Sequence, residues 1–195
     1  MEGPIPRHML LDVAGSVFPA ARTRAWNETY RVGFLLKEQV DPARLRHALA
    51  DLRPRYPYFF VAVRRGFFWY YLERLNHLDP ARLVRREADY PCRPLDLFSP
   101  RPALRVLYDR RRFSVELPHV VADGGGVQVF LKALLARYME LGGVPIPEST
   151  LPGLEDPPAR PSSPTTTARF IPKARASSPR NPPPTNTARP ACAAT

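Results

Sequence analysis

Two side chains in the stretch VELPHVVADGGGVQVF, residues 115–130, have types and spacing suited to moving protons. His119 stands where an apolar strand is expected to end. Asp123 follows four residues later, and Gly124, Gly125 and Gly126 precede an apolar helix. An imidazole with an unperturbed pKa of about 6.5 accepts a proton at neutral pH and returns it. Asp123 has the right reach to orient such a ring or to accept backbone N–H groups in the turn. The three glycines permit positive φ and close approach of a ligand to the backbone. Spacing alone leaves two readings open, an acid–base histidine or a turn histidine beside a capping aspartate.

Other chemistries find less support. The triple glycine lacks the spacing of a P-loop or dinucleotide fingerprint. His119 and Asp123 do not fill a metal coordination sphere, and His8, His47 and His77 do not cluster with them, so no metal is expected. Cys92 and Cys192 are single and distant, which argues against both a disulfide framework and a zinc site. No G-x-S-x-G nucleophile elbow is present, and no pair of catalytic carboxylates stands out.

The elements that must position His119 are legible nearby. ALRVLYDRRRFSVELPHV (103–120) reads as two short strands around a turn at Asp109–Arg112. GVQVFLKALLARYMELGG then places Val127, Phe130, Leu131, Leu134, Leu135, Tyr138 and Leu141 at helical spacing, and Gly142-Gly143 ends the helix. Upstream, TYRVGFLLKE (29–38) reads as a strand. DPARLRHALADL reads as a helix capped by Asp41, with Pro42 at its first position and Leu45, Ala48, Leu49 and Leu52 on one face. YFFVAVRRGFFWYYLE (58–73) reads as a hairpin turning at Arg64-Arg65-Gly66. Strand hairpins with covering helices predict an α/β two-layer sandwich with a mixed or antiparallel sheet.

Composition divides the chain near residue 145. Residues 1–145 are rich in periodic apolar and aromatic side chains and read as one folded subdomain. Residues 146–195 are rich in Pro, Ala, Arg and Thr. From Thr150 onward they hold 11 of the 25 prolines, and Phe170 is their one aromatic residue. Such a segment cannot bury enough apolar surface to offset its ordering entropy, so a disordered tail is expected. The net charge of +11 invites a nucleic-acid reading. However, 26 of the 29 basic residues are Arg, they are scattered, and no RNA-binding or finger signature accompanies them, so no nucleic-acid partner is expected. The apolar MLLDVAGSVFPAA is interrupted by Asp12 and Pro19, and no run reaches the roughly 20 residues of a bilayer span. No membrane span is expected, and cytoplasmic placement is the default.

PHVVADG (118–124) resembles the H-H-x-x-x-D-G motif of the chloramphenicol acetyltransferase-like superfamily, which includes the condensation domains of nonribosomal peptide synthetases. DGGGVQVFLKALLARYMELGG is similar to the D-G-x-G-x-x-x-F-L-x-x-L-x-x-x-Y helix of its alcohol O-acetyltransferase-like branch. LLDVAGSVFPAARTRAWNETYRVGFLLKEQVDPARLRHAL resembles that branch's opening strand and first helix. LRPRYPYFFVAVRRGFFWYYLE resembles its Arg-Tyr/Phe-Pro segment and aromatic hairpin. The likeness runs in order over roughly residues 8–143.

The resemblance implies an N-terminal acyltransferase subdomain in which His119 is the catalytic base. That base deprotonates an alcohol or amine acceptor, which attacks an acyl thioester of CoA or a carrier protein, with no other cofactor bound. Asp123 and Gly124 fall on the motif's structural positions. The aspartate is expected to hold the histidine loop through an ion pair to an arginine, for which Arg105 and Arg55 are both candidates. Pro118 replaces the motif's first histidine. Family members carry two such halves with the active site in a tunnel between them, so a C-terminal half is an implied partner. The abrupt loss of pattern after Gly143 suggests that the tail is an out-of-frame extension of a truncated gene. The alternative is a catalytically inactive fragment or binding module that needs a partner chain.

Overall fold

The structure, a computed structural model, describes residues 7–11, 20, 28–88, 90–96 and 100–146. The expected disordered tail lies outside the described residues from position 147 onward, as does most of the segment between Leu11 and Glu28.

Seven strands and two α-helices occur among the described residues, and the strands form two sheets rather than one. Strands β1 (His8–Leu10), β3 (Val61–Arg65) and β4 (Tyr70–Arg74) pair antiparallel in the order β1-β4-β3. The larger sheet has the order β2-β7-β6-β5 and is built from β2 (Thr29–Leu35), β5 (Val84–Arg86), β6 (Arg105–Asp109) and β7 (Arg112–Pro118). Its pairs are antiparallel except β5 with β6, so this sheet is mixed. Backbone bonds tie the sheets together, Ala103 N–H donating to the Val61 carbonyl at 2.8 Å.

Helix α1 (Pro42–Leu52) begins as its sequence dictates. The Asp41 side chain accepts from the N–H groups of Ala43 and Arg44, and Pro42 occupies the first turn, where no N–H is needed. Leu45, Ala48, Leu49 and Leu52 are its buried face. Helix α2 (Gly124–Glu140) buries Val127, Phe130, Leu131, Leu134 and Tyr138, while Leu141 is exposed. Phe130 is fully buried and stacks on Phe59, with ring centroids 4.1 Å apart and planes 12° apart. The two helices are joined at a polar contact, the Asp41 N–H donating to the Tyr138 hydroxyl at 2.9 Å. Among the described residues no helix is long and apolar enough to cross a membrane.

Strand β7 is the centre of the larger sheet and carries the histidine at its end. Phe113, Val115 and Leu117 are buried on one face, and Ser114 and Glu116 are buried on the other. Its register with β2 runs from Leu35 opposite Arg112 to Thr29 opposite Pro118. A β-carbon at Gly33 would lie 2.6 Å from the Phe113 carbonyl oxygen and from Ser114 Cβ, so a side chain there forces the two strands apart. Gly33→Ala is therefore expected to lower stability by about 1–3 kcal/mol. Urea unfolding followed by circular dichroism is the check; an unchanged midpoint contradicts the tight β2–β7 seam.

Candidate active-site histidine loop

The β2–β7 ladder continues one residue past the strand: the His119 N–H donates to the Glu28 carbonyl at 3.1 Å. The chain then turns, with the Val121 N–H bonded to the Pro118 carbonyl at 3.0 Å. Val120, Val121 and Ala122 are buried and anchor the turn, whereas His119 is exposed. The apolar residues of VVA thus fix a loop whose polar member faces solvent.

Tyr30 on β2 supports this loop from behind. Its ring lies against the His119 imidazole, centroids 4.9 Å apart and planes 36° apart. Its hydroxyl donates to the carbonyl oxygens of Ala122 at 2.8 Å and Asp123 at 2.9 Å, one proton shared between two acceptors. Burial, and secondarily the Asp123 carboxylate, raise the Tyr30 phenol far above its usual range, so it remains a donor at physiological pH. Nothing in the local pattern of TYRVGFL singles out Tyr30; only the Thr29–Pro118 register brings it beneath the loop.

Asp123 is the N-cap of α2. Its Oδ1 accepts from the Gly126 N–H at 2.7 Å, and its carbonyl accepts the first helical bond from Val127 at 3.0 Å. The expected arginine ion pair is not formed. Arg105 is committed to Glu116 at 2.8 Å, Arg55 lies over the Tyr56 ring, and no arginine reaches Asp123 among the described residues. The cap and the Tyr30 bond perform the anchoring that an ion pair was expected to supply. Gly124–Gly126 form the first turn of a helix rather than a positive-φ cradle, since Gly143 is the positive-φ glycine among the described residues. A β-carbon at Gly124 would meet nothing within 4 Å, so that glycine is open to any close neighbour.

On the other face of β7 lies a charge network that sequence reasoning missed. Glu116 is only 1% exposed, and its two neighbours across the sheet are Arg31 on β2 and Arg105 on β6. Arg31 Nε and Nη2 lie 2.8 and 2.6 Å from Oε1, and Arg105 Nη2 lies 2.8 Å from Oε2. The Cys92 N–H also donates to Oε1 at 2.8 Å. Arg31 extends the network to Glu87 at 2.5 Å, and Glu87 accepts from Arg112 at 2.8 Å. The signal in the sequence was one carboxylate inside the apolar run FSVELPHV, an unusual residue to bury without partners. Burial and the Glu116 carboxylate hold the Cys92 thiol above its usual range, which is the opposite of an activated nucleophile.

A cleft of about 280 Å³ does not include His119 in its lining. Arg7, Arg64, Glu73, Arg74 and His77 are among its lining residues, most of them from the smaller sheet. His119 itself is solvent-exposed. Among the described residues no three His, Cys, Asp or Glu side chains come together as a metal site.

No family model matches the sequence, and no curated protein does. Solved structures match the fold. The epimerization domain from the third module of tyrocidine synthetase B superposes with a TM-score of 0.58 at 14% identity, covering 75% of this chain and 39% of that one. The X-domain from teicoplanin biosynthesis, solved in complex with OxyB, gives 0.57 at 18% identity, covering 75% and 36%. Polyketide synthase associated protein 5 from Mycobacterium tuberculosis gives 0.53 at 19% identity, covering 71% and 34%. The chain thus has a condensation-domain-like α/β fold and spans little more than a third of the length of these structures.

Removing one member of a buried charge network leaves the others desolvated and unpaired. Glu116→Ala is expected to cost about 3–5 kcal/mol in denaturant unfolding and to shift the His119 imidazole NMR resonances; a loss below about 1 kcal/mol is the level of a surface pair and contradicts the assignment. Acid sensitivity follows from Glu87. Burial pushes its carboxyl up, and the hydrogen bonds from Arg31 and Arg112 more than offset this, leaving it below the ordinary value of 4.5. Its stabilisation is present above that value and is lost as pH falls through the lower folded value. Glu87→Gln should flatten the acid limb of the stability–pH profile, and an unchanged limb refutes the link.

Proposed function

We propose that this chain is the histidine-bearing half of an acyltransferase that moves an acyl group from a thioester to an alcohol or amine. The observation that carries the reading is the exposed His119 at the end of β7, braced by Tyr30 and followed by a helix capped at Asp123. The condensation-domain-like fold supports a reaction of the acyl- or peptidyl-transfer kind, and the motif PHVVADG supports the finer assignment to the alcohol O-acetyltransferase-like branch.

In this reading His119 takes the proton from the acceptor O–H or N–H as the heteroatom attacks the thioester carbonyl carbon. The C–S bond then breaks, and the leaving thiolate takes up the proton held on His119. The acceptor is itself the nucleophile, so no serine or cysteine of the protein is required. Asp123 and Gly124 act through backbone geometry, holding the loop rather than touching substrate. The acyl donor is a CoA or carrier-protein thioester, and a second half of the fold supplies the other wall of the substrate tunnel.

A second reading, a catalytically silent module that pairs with another chain, is favoured by the exposure of His119 and its absence from the lining of the 280 Å³ cleft. Thiol release from acetyl-CoA with alcohol and amine acceptors separates the two, measured for this chain alone and joined to a second half of the fold. His119→Ala is expected to lower the rate of the active form by about 10²–10⁴-fold. Equal rates for the two proteins remove His119 from the chemistry. Absence of thiol release in every pairing, with a stable complex by light scattering, establishes the binding module instead.

A further inference from the structure

The β3–β4 turn carries side chains that its position does not explain. Tight turns are normally made of Gly, Asn, Asp, Ser or Pro. Here the loop between Arg65 and Tyr70 reads Gly66-Phe67-Phe68-Trp69, closed by a 2.7 Å bond from the Gly66 N–H to the Trp69 carbonyl. Phe67 is 87% exposed, Phe68 83% and Trp69 52%, the largest run of exposed apolar side chains among the described residues. The two phenyl rings pack edge to face at 4.6 Å, so they form one apolar tip. The hairpin behind the tip is held by β1 on the β4 side and by the Arg64–Glu73 ion pair at 2.8 Å. The tip is thus presented on a rigid support rather than collapsed onto the core.

Shape and charge indicate what covers it. Three such side chains expose on the order of 400 Å² at these fractions, about half of the roughly 800 Å² that each partner of a standard protein interface buries. A small convex wedge of this kind fits a deformable apolar phase better than a preformed groove. Arg65 flanks it, is exposed and has no carboxylate partner among the described residues; no Asp or Glu occurs from Arg64 to Leu72. Trp and Tyr favour the boundary between headgroups and acyl chains, and arginine reaches past apolar surface to phosphate. We propose that the Phe67-Phe68-Trp69 tip inserts into the interfacial region of a bilayer carrying anionic lipids, with Arg65 at the headgroups. Such docking requires no spanning segment and stands independently of the acyl-transfer reading.

The test uses the full chain in a Trp26→Phe background, so that Trp69 alone reports, with phosphatidylcholine vesicles and mixed phosphatidylcholine–phosphatidylglycerol vesicles. Expected are a blue shift of Trp69 emission with the mixed vesicles, quenching by brominated acyl chains, and a partition coefficient about tenfold or more lower in Phe67→Ser/Phe68→Ser. Arg65→Glu should weaken binding to the mixed vesicles. Circular dichroism of the variants should be unchanged, because the replaced side chains are exposed. Binding that the double serine variant retains in full reflects the net positive charge of the chain and overturns the proposal. So does the absence of any Trp69 shift, including the case where light scattering shows a tip-dependent dimer in its place.

Discussion

A carboxylate at the centre of the larger sheet must be neutralised where it stands, and this requirement orders the region around His119. Glu116 receives Arg31 from one neighbouring strand and Arg105 from the other, at positions directly opposite in both registers. A slip of one residue would turn Glu116 to the opposite face, away from both Arg31 and Arg105. Hydrophobic alternation specifies β7 weakly, because Phe113 through Pro118 are buried on both faces. The ionic contacts supply the specificity that alternation does not. His119 lies three residues beyond Glu116, so its place at the strand end follows from that register.

The histidine loop is held by several modest devices in place of one strong ion pair. The Asp123 cap, the Tyr30 hydroxyl and the buried Val120-Val121-Ala122 segment each fix a different part of it. The hydroxyl bridges the carbonyls of Ala122 and Asp123, and the ring of the same residue meets the imidazole. Tyr30 therefore couples the helix start to the orientation of His119. The arrangement limits the ring's freedom on the side that faces β2.

Much of this was legible locally. Asp41-Pro42 marked the start of α1, and the second hairpin turned where Asp109–Arg112 indicated. The first turned at Gly66–Trp69, because Arg64 and Arg65 remain paired in β3. Most of the apolar stripe of α2 was buried, with Leu141 exposed. His119 and Asp123 could be singled out because a strand end and a helix cap have local signatures. Strand β5 could not: three residues of VRR carry no alternation, and its parallel pairing with β6 is a tertiary fact. The division into two sheets likewise depends on contacts between distant segments. Arg105, one of the two arginines expected at Asp123, is committed by the sheet to Glu116, a residue whose role only the register reveals.

The Glu116 network also has a temporal order. Arg105 and Glu116 belong to one hairpin and meet by a short chain closure, whereas Arg31 and Glu116 are 85 residues apart. During synthesis β2 leaves the ribosome with its edge unpaired, and its arginine lacks Glu116 until β7 has been made. Tyr30 is on that same strand, so the bracing of His119 is a late event in folding. A chain halted between β6 and β7 would already hold both arginines that meet Glu116 and would lack both that acid and the histidine.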